Sequence, residues 1–264
     1  MLKTMIDREF QHLFGGRSAE HFESIWNLES LRNFSSQRTS DVNLVRLPHP
    51  IDRSGRAVLK RYWYPSLSDR LKGFFRNTFF GMCRAAREFR SLSRLCHIGC
   101  ARVRPIAAGE DRRARLLKRA FILTEYVPGT RSLEEILRSQ TIRTWPHARR
   151  RRLAAHLGAW IRTMHDRGFR DRDLFARNIL VHQSTSMDSP NGGFGLSKID
   201  SSAATGGRAQ PGTGRPFLRD LIDLDRDVNS SASQPDRLRF VLAYLAAFSL
   251  DSEVRTLVGH IRQR

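Results

Sequence analysis

Cysteine is scarce in this chain. Cys83, Cys96 and Cys100 are the only three in 264 residues. That is too few for a disulfide framework and fits a reducing compartment. No apolar run approaches the ~18 residues that a membrane span requires. The opening stretch MLKTMIDREFQHLF is charged within its first eight residues. It lacks the apolar core and small-residue cleavage site of a signal peptide, so the expected location is cytoplasmic. Acidic residues are also few: 26 Asp and Glu stand against 46 Lys and Arg, a net charge of +20. Such a surface attracts polyanions, whether nucleic acid, anionic lipid headgroups or phosphorylated sugars. Cys96-His97-x-x-Cys100 has no second pair at zinc spacing, so buried thiols near a helix end are expected instead of a metal site. DLDRDVN, 223–229, fails as a calcium loop, with Val228 where glycine is needed and Gln234 where a bidentate Glu belongs. It reads as a charged helix end. No internal repeat, zinc finger or aromatic–basic interleaving of an RNA-binding module is present, so nucleic acid is not the expected partner.

What the chain does carry is 40% hydrophobic residues, enough for one domain or two tightly joined lobes. Residues 1–34 are expected to be irregularly helical. DVNLVRL, 41–47, alternates apolar and polar positions as a half-buried strand does. HPIDRSGR is a turn, and AVLKRYWY, 57–64, is a second strand completing a hairpin. From Phe79 to Leu95 the period becomes helical, with Met82, Ala85, Ala86, Phe89 and Leu92 at spacings of three and four. ARVRPIAAGE follows as an irregular strand. AFILTEYVPG, 120–129, has β character and stops at Pro128-Gly129.

SLEEILRSQ, 132–140, is a short helix with Ser132 and Glu135 in capping-box positions. A longer helix covers 147–166, with Leu153, Leu157, Trp160, Ile161 and Met164 on one face and Gly168 near its C-cap. Polar loops at 183–193 and 201–216 flank the strand GLSKID, 195–200. Helices near 217–228 and 236–249 and a weak tail to Arg264 complete the chain. Strands dominate the first half and helices the second, with a break near 128–130. The expected class is α+β in two unequal lobes.

Several polar residues stand where a purely structural chain has no need of them. In GFRDRDLFARNILV, 168–181, Asp173 and Asn178 lie five apart, just before a run of β-formers. Lys60 interrupts an apolar strand. Glu88 borders the apolar face of the 79–95 helix, within a turn of Arg84 and Arg87. Asp200 ends the GLSKID strand. Each has a plain structural role open to it: solvated strand face, surface helix ion pair, turn or cap. Their order along the chain matches what phosphoryl transfer from ATP requires. That chemistry needs a cation on the phosphates, an acid to hold that cation, hard oxygen ligands for Mg²⁺, and a carboxylate to orient the attacking hydroxyl.

RDRDLFARNIL resembles the catalytic loop of the protein-kinase-like fold, in which His-Arg-Asp is followed by Asn five residues after the Asp. VLKRYWY resembles the strand carrying the ATP-binding Lys, and FILTEYVPG the hinge between the lobes. Within kinases the likeness is to the bacterial lipopolysaccharide core kinases acting on heptose or Kdo. VLKRYWYP, AAREF, GFRDRDLFARNIL, LSKIDSSAA and DRLRFVLAYL follow that family's order over about residues 40–248.

The resemblance implies a two-lobed kinase-like fold: a small β-rich N-lobe over 1–127 and a mostly helical C-lobe over 128–264. It implies ATP and Mg²⁺ as cofactors and a glycolipid or sugar as acceptor. It makes Asp173 the catalytic acid–base, and Asn178 and Asp200 the metal ligands. Lys60 contacts the ATP phosphates with Glu88 as its ion-pair partner. The backbone at Glu125 and Val127 meets the adenine edge, and Asp220 supports the catalytic loop. A monomer is expected. The arginine block 149–152 is either a solvated face or a site for anionic headgroups, and would allow peripheral contact with the anionic inner face of a membrane.

The departures are specific. Asp171 occupies the loop-histidine position, Ser201-Ser202 replaces Phe-Gly after Asp200, and no G-x-G-x-x-G precedes Lys60. The matching turn is NFSSQRTS, 33–40, whose hydroxyls and amides can cover phosphates. Alternatives left open by the sequence are a protein kinase, a small-molecule kinase, and an inactive kinase-like scaffold or basic binding protein.

Overall fold

A period of two organises the first part of the chain. In the computed structural model, which describes residues 2–14, 18–48, 55–66, 81–171, 173–183, 194–201, 205–206 and 215–262, six strands form one antiparallel sheet. They are β1 (Leu2–Ile6), β2 (Ser30–Gln37), β3 (Ser40–Arg46), β4 (Arg56–Trp63), β5 (Pro105–Arg113) and β6 (Leu116–Glu125), in the order β1-β5-β6-β4-β3-β2.

Along β4, alternate residues point to opposite faces. Ala57 and Leu59 enter a core with Phe10, Phe22, Ile25, Ile106, Phe121 and Leu123. Helix α1 (Ser18–Trp26) supplies Phe22 and Ile25 to that core. Arg61, on the same parity, donates to the Trp26 carbonyl. Lys60 and Tyr62 therefore face the other way. Gly109 of β5 is required by packing: a Cβ there would sit 2.4 Å from the Phe121 ring and 2.8 Å from that of Phe22.

Helix α2 (Arg84–His97) buries Ala85, Ala86, Phe89, Leu92 and Leu95 at helical spacing. Met82 precedes the helix and is exposed, so it does not belong to the apolar stripe assigned to it from sequence. By internal packing the chain divides into two units. One comprises Met1–Ser93 and Val103–Val127, the other Arg94–Arg102 and Pro128–Arg264.

The second unit begins with β7 (Thr130–Ser132), then α3 (Leu133–Arg138), where Ser132 and Glu135 form the expected capping box, then α4 (Gln140–Thr144). Helix α5 (His147–Asp166) follows. Its C-cap is Arg167, and Gly168 just beyond it takes φ +70, a conformation glycine adopts without a Cβ clash. Strands β8 (Phe169–Arg170), β9 (Ile179–Gln183), β10 (Phe194–Lys198) and β11 (Thr205–Gly206) make two small sheets, β10-β9-β7 and β11-β8. Helices α6 (Arg215–Val228), α7 (Gln234–Leu245) and α8 (Ser252–Arg262) close the unit. At Gly158, helices α5 and α7 approach so closely that a Cβ would lie 2.3 Å from the Phe240 carbonyl oxygen.

Three expectations are corrected. Residues 1–34 are not mainly helical: β1, a 3-10 turn at Arg8–Leu13 and part of β2 flank a single α-helix. β2 is exposed along its whole length, so no alternation marks it in the sequence. Helix α7 stops at Leu245 rather than 249, because Ala246 turns left-handed at φ +53 and Ala247 N–H bonds back to the Leu242 carbonyl. The tail is a capped helix, with Asp251 accepting from the Val254 amide and Val254, Leu257 and Ile261 buried on one face. The loop expected at 183–193 lies outside the described residues except Gln183, and that at 201–216 mostly so. The same is true of most of the turn at HPIDRSGR and of Phe79 and Phe80.

Candidate active site

Lys60 and Tyr62 share one face of β4, and both reach Glu88 on α2. Lys60 Nζ lies 3.6 Å from Glu88 Oε2, and the Tyr62 hydroxyl donates to the same oxygen at 3.3 Å. Glu88 is 4% exposed. A buried carboxylate is retained only when it is paired and hydrogen-bonded. Here it has both partners, so the plain reading of Glu88 as a surface helix ion pair is excluded. The Lys60 ammonium and the Arg84 guanidinium both lie 5.5 Å from the Tyr62 ring centroid. The result is a lysine held in place within the strand, with its charge balanced inside the same unit.

The NFSSQRTS segment forms the hairpin of β2 and β3, as its position before Lys60 suggested. Trp63 pins the tip: its indole N–H donates to the Arg38 carbonyl at 2.9 Å and its amide to the Thr39 carbonyl at 3.0 Å. At the far end of β6, Glu125 pairs with Ala57 of β4. Its amide donates to the Arg104 carbonyl, and its carboxylate is gripped by the Arg104 guanidinium at 2.9 and 2.6 Å. Arg104 also holds Glu9. The segment leading to half-buried Val127 thus leaves the sheet from a fixed point.

In the second unit the segment DLFARNIL, 173–180, folds tightly on both sides of a 3-10 turn. Leu174 and Ile179 are fully buried anchors on either side of a 3-10 turn at Ala176–Asn178. Asn178 donates its side-chain amide to the Asp173 carbonyl at 3.1 Å, and its own carbonyl accepts from the Ile199 amide at 2.9 Å. Those two bonds explain the five-residue spacing. They bring Asp173, Asn178 and the stretch before Asp200 together. Because the Asn178 nitrogen is engaged, its Oδ1 is the atom left to face a cation. Asp200 sits at φ +56, a left-handed conformation that costs a non-glycine residue free energy and concentrates at functional sites.

Behind this loop lies a buried polar network. Asp171 is 1% exposed, and its amide donates to Asp220 Oδ2 at 2.9 Å. Asp220, placed by α6, also lies 3.3 Å from His165 Nε2, while His165 Nδ1 is 2.9 Å from the Tyr244 hydroxyl. Burial pushes the Asp220 carboxyl above the usual carboxylate range, opposed by the nearby His165 ring and the hydrogen bond from the Asp171 amide. Asp227, in the segment read as a charged helix end, accepts from the Ala176 amide at 2.6 Å and so holds the 3-10 turn. Burial pushes the Cys83 thiol up to about 12 and also raises that of Cys100. Neither is poised for nucleophilic chemistry, which needs a depressed thiol pKa. Among the described residues, no cluster of three or more His, Cys, Asp or Glu side chains could hold a metal.

The residues singled out from sequence thus fall into three groups. Lys60 and Glu88 pair directly. Asn178 joins Asp173 and Asp200: its side chain bonds the Asp173 carbonyl, and its carbonyl bonds the amide of Ile199, next to Asp200. Glu125 and Val127 lie at the exit of β6. Four residues of the second unit escaped sequence reasoning: His165, Lys198, Asp227 and Tyr244. None of the four left a readable signal: even Lys198 sits in GLSKID, where polar and apolar residues mix.

The lipopolysaccharide kinase (Kdo/WaaP) family model matches residues 50–244. The chain belongs to this family. It is 30% identical over 98 residues to the lipopolysaccharide core heptose(I) kinase WaaP of Escherichia coli K12, covering 37% of each chain. It is 33% identical over 131 residues to a 3-deoxy-D-manno-octulosonic acid kinase of Actinobacillus succinogenes, covering 48% of this chain and 50% of that one. The matched stretch spans half or less of these curated relatives. Among solved structures, "WaaP in complex with acyl carrier protein" superposes with a TM-score of 0.68 at 23% identity, over 99% of this chain and 97% of that one. That likeness supports the kinase-like fold expected from the sequence.

Proposed function

We propose that this protein is an ATP-dependent kinase that transfers the γ-phosphoryl group to a sugar hydroxyl of heptose or Kdo in the lipopolysaccharide inner core. The observation that carries this reading is the bonded arrangement of Asp173, Asn178 and the strand before Asp200. It is seconded by the buried pairing of Lys60 with Glu88.

In this reading the acceptor hydroxyl oxygen attacks the γ-phosphorus. The bond to the β–γ bridging oxygen breaks, ADP departs, and the hydroxyl proton passes to the Asp173 carboxylate. Lys60, held by Glu88, contacts the ATP phosphates. The backbone at Glu125 and Val127 meets the adenine edge. An Asn178 oxygen and the Asp200 carboxylate would together hold Mg²⁺, which accepts one or two protein oxygens and completes its shell with phosphates and water. Bound there, Mg²⁺ would offset charge on the phosphate oxygens. The net charge of +20 favours an acceptor that is itself anionic, and peripheral attachment to an anionic membrane face.

The test is magnesium-dependent phosphate transfer from ATP to delipidated or truncated lipopolysaccharide, comparing wild type with Asp173→Ala. Transfer is expected in the wild type, with a loss of about 10²–10⁴-fold in the variant. No transfer, together with no thermal shift on adding Mg-ATP, would exclude a kinase and leave a kinase-shaped binding protein.

A further inference from the structure

Lys198 is fully buried, two residues before Asp200, and the reading above gives it no task. Its ammonium lies 2.7 Å from Asp171 Oδ2, and both side chains are 0% exposed. It also donates to the Ile199 carbonyl at 2.7 Å. The Ser201 hydroxyl donates to the same Asp171 oxygen at 3.3 Å. The other oxygen, Asp171 Oδ1, accepts the amide of Asp173 at 3.1 Å. One carboxylate therefore touches both sides of the site. Oδ1 fixes the backbone of Asp173, while Oδ2 binds Lys198 and Ser201, which stand on either side of Asp200.

Two departures from the pattern of the protein-kinase-like fold thus meet at one point. Asp171 replaces the histidine of the loop, and Ser201 replaces the phenylalanine after the metal-binding Asp. An aspartate at 171 brings a second buried carboxylate next to Asp220 and demands a counter-charge. Lys198 supplies it. Ions in a dry interior are tolerated in pairs, and removing one partner alone leaves an uncompensated charge.

We propose that Lys198 and Asp171 act together as a positioning pair: the ion pair replaces the loop histidine and holds Asp173 in register with Asp200. Neither side chain need touch substrate. This rests on the kinase reading above. Its signature is coupling. Lys198→Met and Asp171→His should each disturb the loop alone, whereas the double variant removes both charges' mismatch and restores a histidine where related loops carry one.

The experiment measures kcat, KM for ATP and the Mg²⁺ concentration for half-maximal rate in wild type, both single variants and the double. Mg²⁺-dependent affinity for a non-hydrolysable ATP analogue is measured in parallel, and thermal unfolding gives the folded fraction. Each single variant should lose about tenfold or more in kcat per folded molecule and require more Mg²⁺. The double variant should lose much less than the product of the two. Multiplicative losses in the double variant would overturn the proposal. So would single variants that unfold earlier yet keep wild-type kcat and Mg²⁺ dependence per folded molecule, since the pair would then be purely structural. A wild type that binds Mg-ATP but transfers nothing would refute the proposed acceptor, and the pair would still be judged by the Mg²⁺ dependence of analogue binding. A wild type that binds no Mg-ATP would overturn both.

Discussion

Glu88 has two partners converging on one oxygen, and its burial makes both of them matter. Glu88→Gln keeps the shape and the Tyr62 contact but removes the charge that holds Lys60. Without that ion pair the Lys60 ammonium is no longer fixed in place, and a misplacement of about 1 Å costs up to about 10²-fold, so kcat/KM for ATP should fall roughly ten- to hundredfold. Steady-state kinetics with ATP as the varied substrate checks this. An unchanged kcat/KM would mean that Lys60 is held by something other than Glu88. At this scale the sequence was informative where chemistry dictates spacing. Asp173 and Asn178 stand five apart because an amide must reach back to a carbonyl across a 3-10 turn. Lys198 and His165 were not legible, because a lysine or histidine in a strand or helix gives no sign of being wholly buried until its partners, far away in sequence, are known.

Helix α5 and its crossing with α7 illustrate what determines an element. The apolar spacing over 147–166 was visible in the sequence, and the helix follows it. The reason for a glycine in its middle was not visible, since it lies in the Phe240 carbonyl of another helix. Gly158→Ala should therefore destabilise the second unit although alanine is the better helix former. Forcing a group into packed space costs about 1–3 kcal/mol, against a gain of about 1 kcal/mol in helix propensity. Thermal unfolding should show a lowered Tm. A raised Tm would mean that the helices separate freely at this point.

β2 shows the opposite failure. SLRNFSSQ has no buried face, so neither period two nor period 3.6 is imposed on it, and pairing with β3 alone makes it a strand. The tail helix α8 was obscured by its charge, although Val254, Leu257 and Ile261 do recur at helical spacing.

For the molecule as a whole, the excess of positive charge is the dominant long-range feature. The arginine block at the start of α5 shows how unevenly it is used. Arg149 stacks 4.2 Å over Trp145, while Arg151 and Arg152 are exposed. Each basic residue near an anionic bilayer contributes about 1 kcal/mol, within a screening length of about 10 Å at 0.1 M salt. The protein should sediment with vesicles containing phosphatidylglycerol and not with purely zwitterionic ones, and salt of about 0.5 M should release it. Binding that ignores salt would point to apolar insertion instead. The α+β class was legible, and from β3 onward so was the order of most elements, because β-rich and helix-rich segments are contiguous in the chain. The order of strands in the sheet was not, since pairing depends on contacts distant in sequence.

That sheet order also governs how the chain is made. β2, β3 and β4 are neighbours in both sequence and space and can pair as they emerge from the ribosome. β1 pairs with β5, which is synthesised far later. Until then its apolar residues Leu2 and Ile6, which pack on the first unit's core, have no partner strand. The sheet is therefore assembled from its β2 edge across, and β1, although translated before the other five strands, is among the last to be seated. A nascent chain halted before residue 105 would hold a three-strand meander with β1 unattached and its apolar residues open to chaperones.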